Sequence, residues 1–316
     1  MLKEGHYRLN NLSGLNVLDD VIDTLRFRGS IFFHSELAAP WGMSLPQISS
    51  PRFHISLQGG FYIGTGDHRV DVKQRDIVML PKGNMHWIAD APNTKLIPSE
   101  LAGNACELGQ PLFQNGKITN RVMCGIIEYD NVISHPIIGA LPNILQLSNI
   151  QEEDSIWVIV KQIDTEILRS NSKKNIIIDR LTEILFIQLL RRYISDNEHL
   201  TGFLAALQDS RIAKILHLIH KNPEKPWTLD IMSGEANMSR ATLQRKFKAS
   251  LGLSPISYLS RWRIAKAYQL VKYSSLSLNH IADNIGFADA RTMRIAFQRY
   301  YGITPSKVRK SLMKTV

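Results

Sequence analysis

Two stretches in the last third of the chain repeat one pattern, and this repeat limits what that part can fold into. Thr228 to Met238 reads TLDIMSGEANM, and Ser277 to Phe287 reads SLNHIADNIGF. In register, Met232 pairs with Ile281, Ser233 with Ala282, Ala236 with Ile285, Asn237 with Gly286 and Met238 with Phe287. Past one inserted residue the match continues: Leu243 with Met293, Phe247 with Phe297, Gly252 with Gly302, and Ser254-Pro255 with Thr304-Pro305. Each copy reads as a short helix, a tight turn and a second helix closed by glycine. Ser233 or Ala282 is small enough for close helix approach. Asn237 or Gly286 takes the left-handed turn, and Ser239 or Asp289 caps the second helix. This is a helix-turn-helix, predicted at about residues 228–250 and 277–301, whose second helix suits a DNA major groove. A helix from Pro255 to Lys272 joins the copies. At about 1.5 Å per residue it spans about 27 Å, against ~34 Å for one duplex turn.

Charge supports this reading. From Leu200 onward there are 19 Lys and Arg against 6 Asp and Glu, while the remainder holds 19 against 22. The formal net charge of +10 therefore arises wholly in the last third, as in a polyanion-binding module beside a near-neutral one. The segment is also rich in Leu, Ile, Phe, Met and Trp, so it folds and is not a basic tail. With Leu243 and Phe247 inward, Arg240, Ala241, Gln244, Arg245 and Lys248 lie on the outer face. With Met293, Ala296 and Phe297 inward, Ala290, Arg291, Arg294, Ile295 and Gln298 point out. Arg bonds guanine bidentately and Gln does the same for adenine. Arg261, Arg263 and Lys266 of the joining helix are placed to touch phosphates or to pair with acids inside the module.

The first two thirds follow another rhythm. Between about residues 30 and 130, short apolar runs (Ile31–Phe33, Phe53–Leu57, Phe61–Ile63, Ile77–Leu80, Lys95–Ile97, Val122–Ile127) alternate with Gly, Pro and Asn turns. Such spacing predicts an antiparallel barrel or jelly roll. Ile156, Ile159, Val160, Ile163 and Ile167 then share one helix face, and Ile177, Leu181, Ile184, Leu185 and Gln188 share another, widened by Phe186 and Leu190. Such stripes first suit a core, and two helices beside a small barrel also suit a dimer seam over residues 155–195. No run approaches ~18 apolar residues, so no membrane span is expected. The first ten residues lack an apolar signal core, which predicts a cytoplasmic protein. The two cysteines, Cys106 and Cys124, fit a reducing compartment and exclude a four-cysteine zinc site.

The stretch from about Gly202 to Arg309 resembles the DNA-binding domain of AraC/XylS-type bacterial transcription regulators. The resemblance is carried by Met238-Ser239-Arg240, Phe247-Lys248, Gly252-Leu253-Ser254-Pro255, Tyr258-Leu259, Trp262-Arg263-Ile264, Ala267, Ile281-Ala282, Ile285-Gly286-Phe287, Ala296-Phe297, Gly302-Ile303-Thr304-Pro305 and Arg309. It implies base contacts from Ala241, Gln244 and Arg245 in the first reading helix and from Arg291, Thr292 and Arg294 in the second. Arg240, Thr242, Lys248 and Gln298 complete the candidate DNA-contacting set. Ser233 replaces the family's usual Ala, Asn237 its usual Gly, and Ile295 a usual base-reading Arg. The N-terminal part is similar to a subgroup with a cupin-like sensor domain, through Ala39-Pro40-Trp41-Gly42, Asp76 to His86, Cys124-Gly125 and Leu141-Pro142, with Arg75 where a Gly is usual.

The expected fold is therefore α+β in two domains. A cupin-like barrel or jelly roll with flanking helices fills residues 1–196 (strands about 30–130, helices about 150–195). A linker follows at 197–208, and an all-α domain of two helix-turn-helix units at 209–316. The resemblance implies a homodimeric, cytoplasmic, nucleoid-associated activator on double-stranded promoter DNA, acting with RNA polymerase and a small-molecule effector, without membrane, metal or cofactor. Phe33, Trp41, Phe53, His54, Tyr62, His86 and Trp87 are candidates to line the effector pocket. Cys106 and Cys124, 18 positions apart and placed for neighbouring strands, suit a redox sensor. The plainer reading makes them two small buried apolar residues. The alternative function is a cupin-type enzyme with an accessory nucleic-acid-binding module. Its metal site would need His-x-His, and His34, His54, His68 and His86 are scattered instead.

Overall fold

The computed structural model describes residues 12–66, 68–110, 112–130, 136–170, 175–197 and 199–312. They divide into two units. One is Phe27–Tyr129 with Leu141–Asp196, and the other comprises the described residues of Met1–Arg26, Asp130–Ala140 and Asn197–Val316. This division differs from the expected one at both ends of the barrel. Helix α1 (Leu12–Leu25) belongs to the C-terminal unit, because Val17, Leu18, Val21 and Leu25 form a fully buried stripe packed on helices of that unit.

The barrel unit contains strands β1 (Arg28–Ala38), β2 (Gly42–Leu45), β3 (Arg52–Gln58), β4 (Phe61–Thr65), β5 (His68–Val72), β6 (Ile77–Leu80), β7 (His86–Ala89), β8 (Ile97–Pro98), β9 (Ile118–Glu128) and β10 (Leu145–Leu147). They form two five-stranded sheets, ordered β1-β9-β3-β6-β10 and β5-β4-β7-β2-β8. Phe33, Leu37, Val122, Val78 and Leu80 from the first sheet meet Met43, Leu45, Phe61, Ile63 and Ile88 from the second in one core. The apolar-run pattern finds β1, β3, β4, β6 and β9, keeps only Ile97 of its fifth run, and misses β2, β5, β7 and β10.

Strand β3 alternates Arg52, His54 and Ser56 with Phe53, Ile55 and Leu57. Arg52, His54 and Ser56 stand opposite Ile126, Cys124 and Val122 on β9, and Arg52 and His54 opposite Leu80 and Val78 on β6. Directly paired residues share a sheet face. The polar side of β3 therefore points into the barrel core, and its apolar side is buried as well.

Helix α2 (Ser99–Glu107) packs on β2 and β8, and helices α4 (Ser155–Arg169) and α5 (Ile176–Asp196) pack on each other, with α5 against β1. Asp154 caps α4 by accepting the Ile156 N–H at 2.9 Å. The buried side of α5 is Ile178, Thr182, Leu185, Phe186, Leu189 and Leu190. Leu185, Phe186 and Leu190 are buried as expected, but the buried side is rotated so that Ile177 and Ile184 lie exposed. Close approach sets this rotation: a Cβ on Gly29 of β1 would lie 2.5 Å from the Thr182 Cβ. Thr182 meanwhile donates its hydroxyl to the Ile178 carbonyl at 2.8 Å.

The C-terminal unit is helical: α3 (Pro136–Ala140), α6 (Gly202–Gln208), α7 (Ser210–Lys221), α8 (Leu229–Glu235), α9 (Arg240–Leu251), α10 (Pro255–Tyr273), α11 (Leu278–Asn284), α12 (Ala290–Tyr301) and α13 (Pro305–Leu312). The expected linker at 197–208 contains α6, whose Phe203, Leu204, Ala206 and Leu207 are buried. Helix α1 packs on α6 and α7. Helix α10 begins with Pro255 after the cap Ser254, which accepts the Ser257 N–H at 3.2 Å. Its Trp262 stacks on His220 of α7 at 3.5 Å between ring centres, and His220 Nε2 bonds the Tyr258 hydroxyl at 2.8 Å. Among the described residues no helix is long and apolar enough to cross a membrane.

Two predictions follow from this packing. Gly29→Ala should lower the stability of the barrel unit by about 1–3 kcal/mol, because the added methyl overpacks a site with no room; urea unfolding measures it. For His220, burial lowers the imidazole from its ordinary 6.5 to about 4, against the opposing pull of Asp20. Lys266 and His217 act in the same sense as burial. The unfolded chain takes up a proton below pH about 6.5 that the folded chain refuses until about 4, so stability falls across that window as pH drops. The loss approaches roughly 3 kcal/mol at the acid end. His220→Gln should flatten the pH dependence of the urea midpoint between those limits; an unchanged slope would refute this assignment.

Candidate nucleic-acid interface

The two repeats fold into matching constellations. In the first, the Thr228 hydroxyl caps α8 by accepting the Ile231 N–H at 3.2 Å, and the chain turns through Asn237 at φ +49. The Met238 N–H then bonds the Ser233 carbonyl at 3.0 Å. In the second, Ser277 caps α11 by accepting the His280 N–H at 3.2 Å, and Gly286 turns at φ +78. The Phe287 N–H bonds the Ala282 carbonyl at 2.9 Å. Ser239 and Asp289 cap the second helices through the Thr242 and Thr292 N–H groups, at 3.2 and 2.6 Å. Gly252 and Gly302 close both helices in the left-handed conformation. Glycine is needed at Gly286 for a second reason: a Cβ there would lie 2.7 Å from the Glu224 Cα and 2.6 Å from an Arg263 nitrogen.

Leu243, Phe247 and Leu251 bury the inner side of α9, and Met293 and Phe297 that of α12. Arg240, Ala241, Gln244, Arg245 and Lys248 are exposed on α9, and Arg291, Thr292, Arg294 and Gln298 on α12. Thr242 is half-buried, and its hydroxyl bonds the capping Ser239 Oγ at 2.9 Å. Arg240 is ion-paired with Asp230 of α8, and Arg294 Nε bonds the Ala290 carbonyl of its own helix at 3.2 Å. Ala290, expected to point out, is buried at the start of α12. Ile295 is 61% exposed amid the basic side chains. Arg299 is exposed on the same helix and was absent from the candidate set, although it continues the i, i+4 row of Arg291 and Ile295.

The basic residues of α10 divide by role. Arg263 donates to the carbonyls of Pro223 and Lys225 at 2.7 and 2.8 Å, clamping the segment before α8. Lys266 bonds Gln269 at 3.2 Å and lies 3.5 Å from Asp23. Arg261 is exposed, with its guanidinium 6.0 Å from the Tyr300 ring centre. Arg309 holds α13 by donating to the carbonyls of Val271 and Leu276.

In the barrel, the seven expected pocket residues occupy different surroundings. Phe33 borders a cavity of ≈ 250 Å³, beside Phe32, Met43, Leu45, Arg52, Ile88, Glu100 and Cys124. Trp41 is core, its indole N–H donating to Asn120 Oδ1 at 3.0 Å. Phe53 is on the opposite face of β3 and lies over Gly125. Tyr62 is half-buried and alternates with the core residues Phe61 and Ile63, while Trp87 covers Gly64. His54 and His86 are buried and bonded to each other, Nε2 to Nε2, at 2.8 Å.

Burial drives His86 down to about 4 and His54 well below its ordinary range. Both rings are therefore neutral near pH 7. His86 Nδ1 meets the Asn84 carbonyl at 2.7 Å, so it carries the proton and its Nε2 accepts from His54 Nε2–H. His54 Nδ1 then accepts from the Cys124 thiol, 2.9 Å away. Burial also pushes the Cys124 thiol far up, so it is a hydrogen-bond donor and not a thiolate. Cys106, expected on a neighbouring strand, lies half-buried on α2, and neither cysteine is in a disulfide.

Comparison with known proteins fits both halves. Residues 16–195 match the cupin family, and residues 232–311 match a helix-turn-helix domain. The chain is 25% identical to the HTH-type transcriptional regulator AlkR of Acinetobacter baylyi over 94% of this chain and 99% of that protein. It is 26% identical to the HTH-type transcriptional regulator MtrA of Neisseria gonorrhoeae over 94% and 98%. A solved AraC-type regulator from Chromobacterium violaceum is 28% identical over 32% of this chain and 89% of that one, with a TM-score of 0.31. The chain belongs to the AraC-type transcription regulators, with an N-terminal domain of the cupin family.

Proposed function

We propose that this protein is a dimeric activator that reads a two-part promoter site with α9 and α12 and answers a small molecule held by its barrel. The observation that carries the DNA reading is the pair of capped helices presenting Gln244, Arg245, Arg291 and Arg294 on exposed faces. Arg245 and Gln244 of α9 act as base readers, since each can make a bidentate bond to one base. Lys248 and Gln298 contact the backbone, as does Arg240 once its exposed pairing with Asp230 yields to phosphate. Ile295 offers apolar contact to a thymine methyl, where an Arg would have read guanine. Activation further implies a contact with RNA polymerase.

The dimer reading rests on α4 and α5. Val158, Leu168, Ile176, Ile177 and Ile184 are exposed there, and Val158, Ile177 and Leu181 border a shared groove. A second copy of this surface would cover them by two-fold pairing.

Mapping bound sites across the genome tests the function directly: a shared two-part motif upstream of a compact gene set is expected, and diffuse binding without a motif would refute it. Arg245→Ala should cost about 1–3 kcal/mol at one base position and relax preference there. Equal weakening on all sequences, with a reduced salt slope, would make Arg245 a phosphate contact instead. Ile177→Asp should shift the protein from dimer to monomer in light scattering, with the circular dichroism spectrum unchanged.

A further inference from the structure

The barrel cavity is bordered by the buried cation Arg52, whose guanidinium lies 5.9 Å from the Phe32 ring centre. Arg52 is 8% exposed on the inner face of β3. One of its nitrogens, Nη1, donates to the Pro46 carbonyl at 2.8 Å. Its Nε is buried with no hydrogen-bond partner among the described residues. Phe33, Met43, Leu45 and Ile88 make up the apolar part of the wall, beside the polar Ser99, Glu100 and Asn104. The carboxylate bordering the same cavity is Glu100 of α2, and it is exposed. Burying a cation beside apolar side chains is costly unless it is paired and hydrogen-bonded. A ligand that brings one anionic group and an apolar body satisfies both halves of this site.

We infer that the barrel cavity binds a small amphipathic monocarboxylate, its carboxylate on Arg52 and its hydrocarbon part against Phe33, Met43, Leu45 and Ile88. Size limits the class. An apolar cavity of about 150 Å³ takes benzene, so ≈ 250 Å³ suits an aryl ring with a short acid arm or a chain of about eight carbons. A two-chain lipid is too large. Glu100 stands where it repels the incoming anion and attracts Arg52, so it weakens binding and is not a ligand contact. The inference rests on the small-molecule sensing proposed above and names the chemistry that is sensed.

Calorimetric titration of the full chain tests it, with octanoate and 3-phenylpropanoate as probes and octanol and 3-phenylpropanol as neutral controls. Each acid should bind about ten- to a hundredfold more tightly than its alcohol, the scale of one charge-assisted hydrogen bond. Arg52→Gln should abolish that preference while leaving alcohol binding in place. Glu100→Gln, on the exposed rim, should tighten acid binding severalfold and leave the alcohols alone; it decides the matter if Arg52→Gln does not fold. Equal binding of acid and alcohol, an acid preference that survives in folded Arg52→Gln, weaker acid binding by Glu100→Gln, or no binding of either acid at millimolar concentration would each overturn the inference. Affinity for the mapped promoter site, measured with and without octanoate, separates the two claims. Binding that leaves DNA affinity and transcription unchanged keeps the site and refutes sensing. Intact regulation by a chain that binds no carboxylate refutes the site alone.

Discussion

Both reading helices hang on α10. Tyr258, early in that helix, meets Phe247 of α9 edge-on at 6.3 Å, and Tyr268 stacks on Phe297 of α12 at 6.0 Å with planes 10° apart. Phe247 and Phe297 are equivalent positions of the repeat, so the duplication uses one aromatic pair twice. The two tyrosines are ten residues apart, about 15 Å along a helix at ~1.5 Å per residue. A single capped rod therefore fixes the spacing of the two readers, and no flexible joint lies between their anchoring contacts. Arg263 and Arg309 serve the same end. They donate to backbone carbonyls at 223, 225, 271 and 276, using their charge to fix chain segments and not to meet DNA. In a module rich in cations, the exposed ones of α9 and α12 that hold no backbone segment remain for recognition, as does Arg261 of α10.

The C-terminal unit was legible because its constraints are local. A small residue, a left-handed turn and a cap must fall within a few positions of each other, and they do so twice. The capping by Ser239 and Asp289 and the turns at Asn237 and Gly286 follow from residue type alone. What the local pattern misses is long-range. Helix α1 lies more than two hundred residues from α10 in sequence, yet Asp23 meets Lys266 there. Its apolar stripe reads equally well as the start of a barrel domain, and only packing decides which core takes it.

Helix α5 shows a related ambiguity. Apolar residues occupy nearly every turn on several sides, so a one-face template fits at more than one rotation. The phase that packs is the one placing Thr182, compact and bonded to its own helix, over the bare backbone of Gly29. Bulkier Ile177 and Ile184 are thereby turned outward. Burying an isoleucine side chain is worth about 1.5–3 kcal/mol, so leaving two out favours a second surface that covers them.

Strand β3 is the case where the usual rule points the wrong way. Alternation of Arg52, His54 and Ser56 with apolar neighbours ordinarily marks a strand with one wet face. Here both faces are buried, and the polar one faces the core. His54 belongs to a directed chain from the Cys124 thiol through two neutral imidazoles to the Asn84 carbonyl, and Ser56 donates to the Gly59 carbonyl at 2.8 Å. Arg52, the third member of the row, borders the cavity and keeps a buried Nε with no hydrogen-bond partner among the described residues. Polar groups inside a core are kept either because their partners are built in or because a partner arrives. Within one strand, His54 and Ser56 illustrate the first condition and Arg52 the second. That contrast separates a structural network from a candidate binding site more sharply than burial or aromatic content, which singled out Trp41, Phe53 and Trp87, none of them bordering the cavity of Phe33 and Arg52.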